Sequence, residues 1–223
     1  MFAAGLLPAA FCLQREIAIL KKGDIKMEMS KKPVYKLTLS AVFVALATVL
    51  SNIKVVKMPL GGSVTLLSML PIVMISVMLG LKWGIGSAFV YSLIQLVLGI
   101  ALDGLLGWGL TPVMLVGTIL LDYIVAFTVL GIAGIFAKRG YVGICGGVAI
   151  AVALRFVSHF LSGFVIFKNL EQFELFGSVF TNHPVLYSLA YNGMYMLPEL
   201  VLTTVAAVIL FRLPQVKKIM NQQ

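Results

Sequence analysis

The chain has 223 residues, 61% of them hydrophobic and 11% charged, with a mean hydropathy of +1.06. That composition excludes an ordinary water-soluble domain. The formal net charge of +9 does not indicate a nucleic-acid binder, because the basic residues gather at the ends and in short connectors between apolar blocks, where membrane topology uses them.

Residues 1–30 are unlike the rest. Met1 to Phe11 is weakly apolar and is followed by a charged stretch, the reverse of the order in a signal peptide. Two readings stand for this segment: a disordered tail, or a mis-assigned translated leader. The second follows from codons. Ala3-Ala4-Gly5 and Pro8-Ala9-Ala10 can be written as an inverted repeat, and Lys21-Lys22-Gly23-Asp24 as a purine-rich ribosome-binding sequence ahead of a start at Met27 or Met29.

Residues 31–223 read as one membrane domain, with apolar blocks of about the 20 residues that a helix needs to cross roughly 30 Å of hydrocarbon. The first predicted helix runs from about Leu37 to Ile53 and carries Ala41 and Ala45 on one face, a spacing that lets another helix approach closely. A polar connector with Lys54, Lys57, Pro59 and Gly61-Gly62 leads to a second helix, about Ser63 to Gly80, that contains Pro71. After a Leu81-Lys82-Trp83 turn, the third helix runs to about Leu102 with Tyr91 and Gln95 four apart, and Trp108 in the next connector reads as an interfacial anchor.

The fourth helix, Thr111 to Phe136, holds Asp122 and Tyr123. A carboxylate in the middle of such a run costs a few kcal/mol by insertion scales, so it is expected to face the bundle interior and mark a binding site or pathway. The fifth helix, Tyr141 to about Phe167, carries Arg155, Ser158 and His159. A hydrated stretch from Lys168 to Asn182, with Phe173, Phe176 and Phe180 interleaved among polar residues, precedes the sixth helix. That helix, about His183 to Arg212, carries Tyr187, Tyr191, Asn192, Tyr195 and Glu199.

The predicted fold is thus an all-α membrane bundle of six transmembrane helices. Lys31, Lys32, Lys36, Lys82, Lys138, Arg139, Arg212, Lys217 and Lys218 share one side and only Lys54, Lys57 and Lys168 the other, which puts both termini in the cytoplasm. At 1.5 Å per residue, Asp122, His159 and Asn192 lie roughly 16, 12 and 14 Å below the outer ends of their helices. Three polar groups at one depth predict a pocket that opens outward.

A carboxylate, an imidazole and an amide among tyrosines suit a flat, cationic or amine-bearing small molecule. Two other readings remain at this point: Asp122 and His159 as a proton relay in an ion-coupled carrier, and Asp122 as a structural partner of Arg155. No Walker A loop, HExxH or GxSxG occurs, so an enzyme is not expected, and Cys12 and Cys145 form no metal or disulfide motif. No cofactor is called for.

Leu121 to Phe127 (LDYIVAF), Arg155 to Gly163 (RFVSHFLSG), Tyr187 to Met196 (YSLAYNGMYM) and the Gly61-Gly62-Ser63 turn resemble the thiamine-specific S-component of energy-coupling factor (ECF) transporters, the ThiT or YuaJ family. The resemblance covers about Lys36 to Arg212. It implies a substrate-binding subunit of the bacterial cell membrane that takes thiamine from outside and docks on a T-component with two ATP-binding subunits. A related vitamin or its hydroxymethylpyrimidine precursor is the alternative ligand.

By the same resemblance, Asp122, His159 and Asn192 contact the vitamin, Tyr123 and Tyr187 match further binding positions, and Phe167 supplies a ring; Tyr91, on the inward face of the third helix, is a further candidate ring from the residues themselves. Ala41 and Ala45 match the face that packs on the T-component. Some members have Glu at the position of Asp122, and tryptophans where this chain has Met58 and Phe167. Glu199 is an additional acid, for which Arg155 is a conceivable partner.

Overall fold

The computed structural model describes residues 33–58, 61–167, 174–175, 178–179 and 183–220. The expected tail or leader over 1–30, Lys31 and Lys32, Pro59, Lys168, and Phe173, Phe176 and Phe180 lie outside the described residues.

Six apolar helical segments form the bundle among the described residues, in the order α1 (Pro33–Asn52), α2 (Met69–Leu79), α3 (Leu81–Ala101), α4 (112–139), α5 (Gly140–Val165) and α6 (Pro184–Leu210). A short α7 (Pro214–Met220) follows. Hydropathy and length suit α1, α3, α6 and the run through α4 and α5 to crossing a membrane. At 11 residues, about 16 Å, α2 is too short to do so alone. It is instead the most enclosed element, with Ile72, Val73 and Ile75 fully buried.

Helix α2 starts at Met69, later than the expected Ser63. Ser63–Thr65 is a strand, β2, that pairs antiparallel with β1 (Lys54–Lys57), so the first connector is a hairpin. Its β-branched residues, Val55, Val56 and Val64, favour the extended backbone. Leu67, at φ 59°, turns the chain from β2 into α2. Pro71 consequently sits in the first turn, where its missing N–H would have had no helical partner, and needs no compensation from neighbours. The expected turn over Leu81 to Trp83 is also helical; Gly80 alone, at φ 90°, separates α2 from α3.

At the end of the bundle away from the hairpin, α2, α3 and α4 touch backbone to backbone. A Cβ on Gly84 would meet Ser76 and the Gly131 carbonyl, so only glycine permits this approach. The Ser76 hydroxyl donates to the Gly131 carbonyl and accepts from the Gly134 N–H at 2.9 Å. Arg212 lies 5.2 Å from the Tyr141 ring centre, and the Tyr141 hydroxyl donates to the Val208 carbonyl at 2.7 Å.

Helix α4 is not uniform. Thr111 caps it, accepting from the Met114 N–H at 3.4 Å, with Pro112 at the first helical position. One α-helical stretch (Pro112–Thr118) then gives way to a π-helical segment (Ile119–Val125), a short α turn (Ala126–Thr128) and a 3-10 segment (Val129–Arg139). The wide segment carries Asp122.

Candidate functional site

Helix α5 grips the π-helical segment with three polar side chains. The Ser158 hydroxyl donates to the Leu121 carbonyl at 2.6 Å, His159 Nδ1 lies 2.9 Å from Asp122 Oδ1, and the Ser162 hydroxyl donates to Asp122 Oδ2. Positions 158, 159 and 162 share one helical face, so consecutive turns of α5 read consecutive groups of α4. π-Helical turns occur often at functional sites. Here the turn bears the one acidic residue of α4.

From α6, the Asn192 side-chain nitrogen donates to the His159 carbonyl at 3.2 Å and to the Ser188 carbonyl at 2.9 Å, while its oxygen accepts from the Tyr195 hydroxyl at 2.7 Å. One acceptor lone pair of that oxygen is left. The expected meeting of Asp122, His159 and Asn192 at one depth therefore occurs. Tyr187, Tyr191 and Tyr195 form a ladder along α6, stacked at 6.0 Å and then edge-on at 5.8 Å, and Tyr195 stands edge-on to His159 at 5.8 Å.

These residues line a cavity enclosing about 900 Å³, its open mouth included. Asp122, Tyr123, His159, Phe167, Tyr187 and Asn192 all border it. Tyr91 does not. It is wholly buried behind the wall, edge-on to Phe127 at 5.5 Å, with its hydroxyl 3.5 Å from the Ala47 carbonyl. Its neighbour Gln95 reaches the cavity and donates to Ser51 at 2.8 Å. Ala41 and Ala45 are far from this chemistry, on the exposed side of α1, whereas Ser40, Val44 and Ala47 face the interior.

Several wall residues were not anticipated. Trp108 is no simple interfacial anchor: it borders the cavity, packs edge-on to Phe167 at 6.5 Å, and leaves no room for a Cβ on Gly61 at the hairpin tip. The hairpin is fastened over the cavity at three places. Lys54 and Lys57 reach Asp103 in the third connector at 2.5 and 3.6 Å; the Gly62 N–H donates to the Tyr191 hydroxyl at 3.3 Å; and the Thr65 N–H and hydroxyl donate to Glu199 at 2.5 and 2.6 Å. Glu199, only 2% exposed, thus belongs to the hairpin. Arg155 instead donates to His159 and covers the Phe127 ring at 4.2 Å, so the suggested Arg155–Glu199 pair is not formed.

Chemically, the cavity offers a carboxylate flanked by two donors, a rigid set of aromatic faces and a polar rim. It suits a flat ligand with an amine or positive charge directed at Asp122. The comparisons agree with that chemistry. The family model described as thiamine transporter protein (Thia_YuaJ) matches residues 37–219. The thiamine transporter ThiT of Bacillus subtilis is 33% identical over 200 residues, which cover 83% of this chain and 94% of that protein. A solved structure of ThiT from Listeria monocytogenes superposes with a TM-score of 0.64 at 22% identity, covering 83% of this chain and 98% of the other, and shows the shared fold.

Proposed function

This chain belongs to the thiamine transporter protein family, whose members are multi-pass bacterial membrane transport proteins rather than enzymes, and from that membership we propose that it is the thiamine-capturing S-component of an ECF importer. The observation that carries the proposal is Asp122, held by His159 and Ser162 in the wall of an aromatic cavity in the membrane bundle. Asp122 receives the amine-bearing ring of the vitamin, Tyr123, Phe167 and Tyr187 supply faces for the ring system, and His159 and Asn192 shape the wall. A preformed pocket with few, convergent polar groups fits a small, flat ligand.

The two ends of the bundle differ in charge, with Lys82, Lys138, Arg139 and Arg212 at the end opposite the hairpin. By the positive-inside rule that end faces the cytoplasm, both termini included, and the cavity opens outward beneath the hairpin. Energy then comes from a T-component with two ATP-binding subunits, which dock on the exposed α1 face around Ala41 and Ala45. Thiamine binding to the purified protein by calorimetry is the direct test, and absence of binding refutes the proposal. Hydroxymethylpyrimidine titrated in parallel decides between vitamin and precursor. Uptake that persists without the ATPases and collapses with the proton gradient would make Asp122 and His159 a proton path instead.

A further inference from the structure

Among the described residues, the carboxylates that border the cavity are Asp122 and Asp103, and they stand at different depths. Asp122 lies within α4, about 15 Å from its start at Pro112. Asp103 belongs to the connector ahead of that helix, where Lys54 and Lys57 already hold it at 2.5 and 3.6 Å. A positive charge resting at this outer end would therefore find its carboxylate taken. What can still attract it there is the electron-rich face of an aromatic ring.

Two rings form a corner at that end. Trp108 and Phe167 meet edge-on, with centres 6.5 Å apart and planes at 60°. Phe167 follows the end of α5, eight positions beyond His159 and five beyond Ser162, which places it about 8 to 12 Å along the helix from the two residues that hold Asp122. The indole is fixed in place. Its Nε1–H donates to the Asp103 carbonyl at 3.1 Å, and the hairpin tip lies so close that a Cβ on Gly61 would come within 2.9 Å of the ring. With the N–H already satisfied, Trp108 has only its π surface left to give the cavity.

Resting on the thiamine reading above, we infer that Trp108 is a ligand-contacting residue that determines specificity, holding the positively charged second ring of the vitamin in the corner with Phe167. An aminopyrimidine seated on Asp122 ends short of this corner. The thiazolium joined to it through one methylene reaches it. Its charge sits on a quaternised nitrogen and cannot be shed as a proton, so the site must attract a cation without an acid to pair it. Indole does this best among aromatic side chains, and Trp108 is the tryptophan that borders the cavity. Asp122 then reads the ring that vitamin and precursor share, and Trp108 reads the ring that only the vitamin has.

Calorimetry on the purified full-length protein and on Trp108→Leu tests the assignment with three probes: thiamine, its uncharged thiophene isostere, and hydroxymethylpyrimidine. The parent should prefer thiamine to the isostere. In Trp108→Leu the thiamine dissociation constant should rise about three- to thirtyfold, the range of a cation–π contact, and the preference over the isostere should shrink. Precursor binding should change less than twofold. Trp108→Phe keeps a ring and should fall between the two, and it carries the same comparison if the leucine protein does not fold. A loss shared equally by thiamine and precursor would make Trp108 a prop for the hairpin and overturn the inference, as would thiamine affinity that neither substitution alters. A parent that binds the precursor but not thiamine also overturns it and leaves Asp122 in its role. A parent that binds neither refutes the ligand reading itself, and the inference falls with it.

Discussion

Replacing Asp122 with Asn tests the site at its centre. The carboxylate accepts from His159 through Oδ1 and from Ser162 through Oδ2, which leaves its outer lone pairs for the ligand. Asparagine keeps the shape but has one oxygen, so its amide nitrogen must face either the imidazole N–H or the ligand's amine, donor against donor. A hydrogen bond to a charged group contributes about 1.5 to 3 kcal/mol. Losing it should weaken thiamine binding about 10- to 150-fold. Insertion and folding should be preserved, since an amide is cheaper than a carboxylate inside a membrane protein. Isothermal calorimetry on the purified pair gives the ratio directly. An unchanged dissociation constant in a folded Asp122→Asn protein would remove Asp122 from the site.

Ala41→Trp and Ala45→Trp should leave thiamine affinity near normal, because both positions are exposed on α1, yet abolish uptake by blocking close approach of a partner helix; normal uptake would show that this face meets only lipid. Lys54→Met removes the shorter of the two ion pairs that tie the hairpin to Asp103, a partly exposed contact, and should raise the thiamine off-rate about two- to fivefold in stopped-flow measurements. An unaltered off-rate would mean that the other fastenings suffice. Glu199→Ala leaves the Thr65 N–H and hydroxyl without their acceptor and should cost about 1 to 3 kcal/mol of stability. Glu199→Gln, which retains an acceptor oxygen, should cost less by thermal unfolding, and equal losses would show that the negative charge is what holds the hairpin.

The helices were legible because a membrane imposes both length and composition on them, and the convergence of Asp122, His159 and Asn192 was legible because helical rise is fixed. Depth needs only counting. What failed depended on local pairing or on contacts between distant segments. Hydropathy registers Ser63–Thr65 as the start of an apolar run and cannot see that its backbone pairs with Lys54–Lys57. Trp108 carries no sign in its neighbours that it turns inward against Phe167 rather than outward to lipid headgroups. Tyr91 shares a face with Gln95 as expected, but the shorter residue reaches the cavity and the ring lies behind it. Arg155 stands 44 positions from Glu199 but only four from His159 on its own helix, and that spacing is the signal of the contact it makes.

The π-helical turn in α4 also bears on how this sequence can change over generations. Such a turn is in effect an α-helix holding one surplus residue, an insertion absorbed without breaking the rod. Each residue in an α-helix advances the chain by about 100°. Deleting a single amino acid from Ile119–Val125 would therefore restore regular winding and swing the preceding stretch, or the stretch after it, by that angle. Substitutions can be sampled one at a time at most positions on this helix, but its length in these seven residues is constrained by the phase in which Leu121 and Asp122 must meet α5.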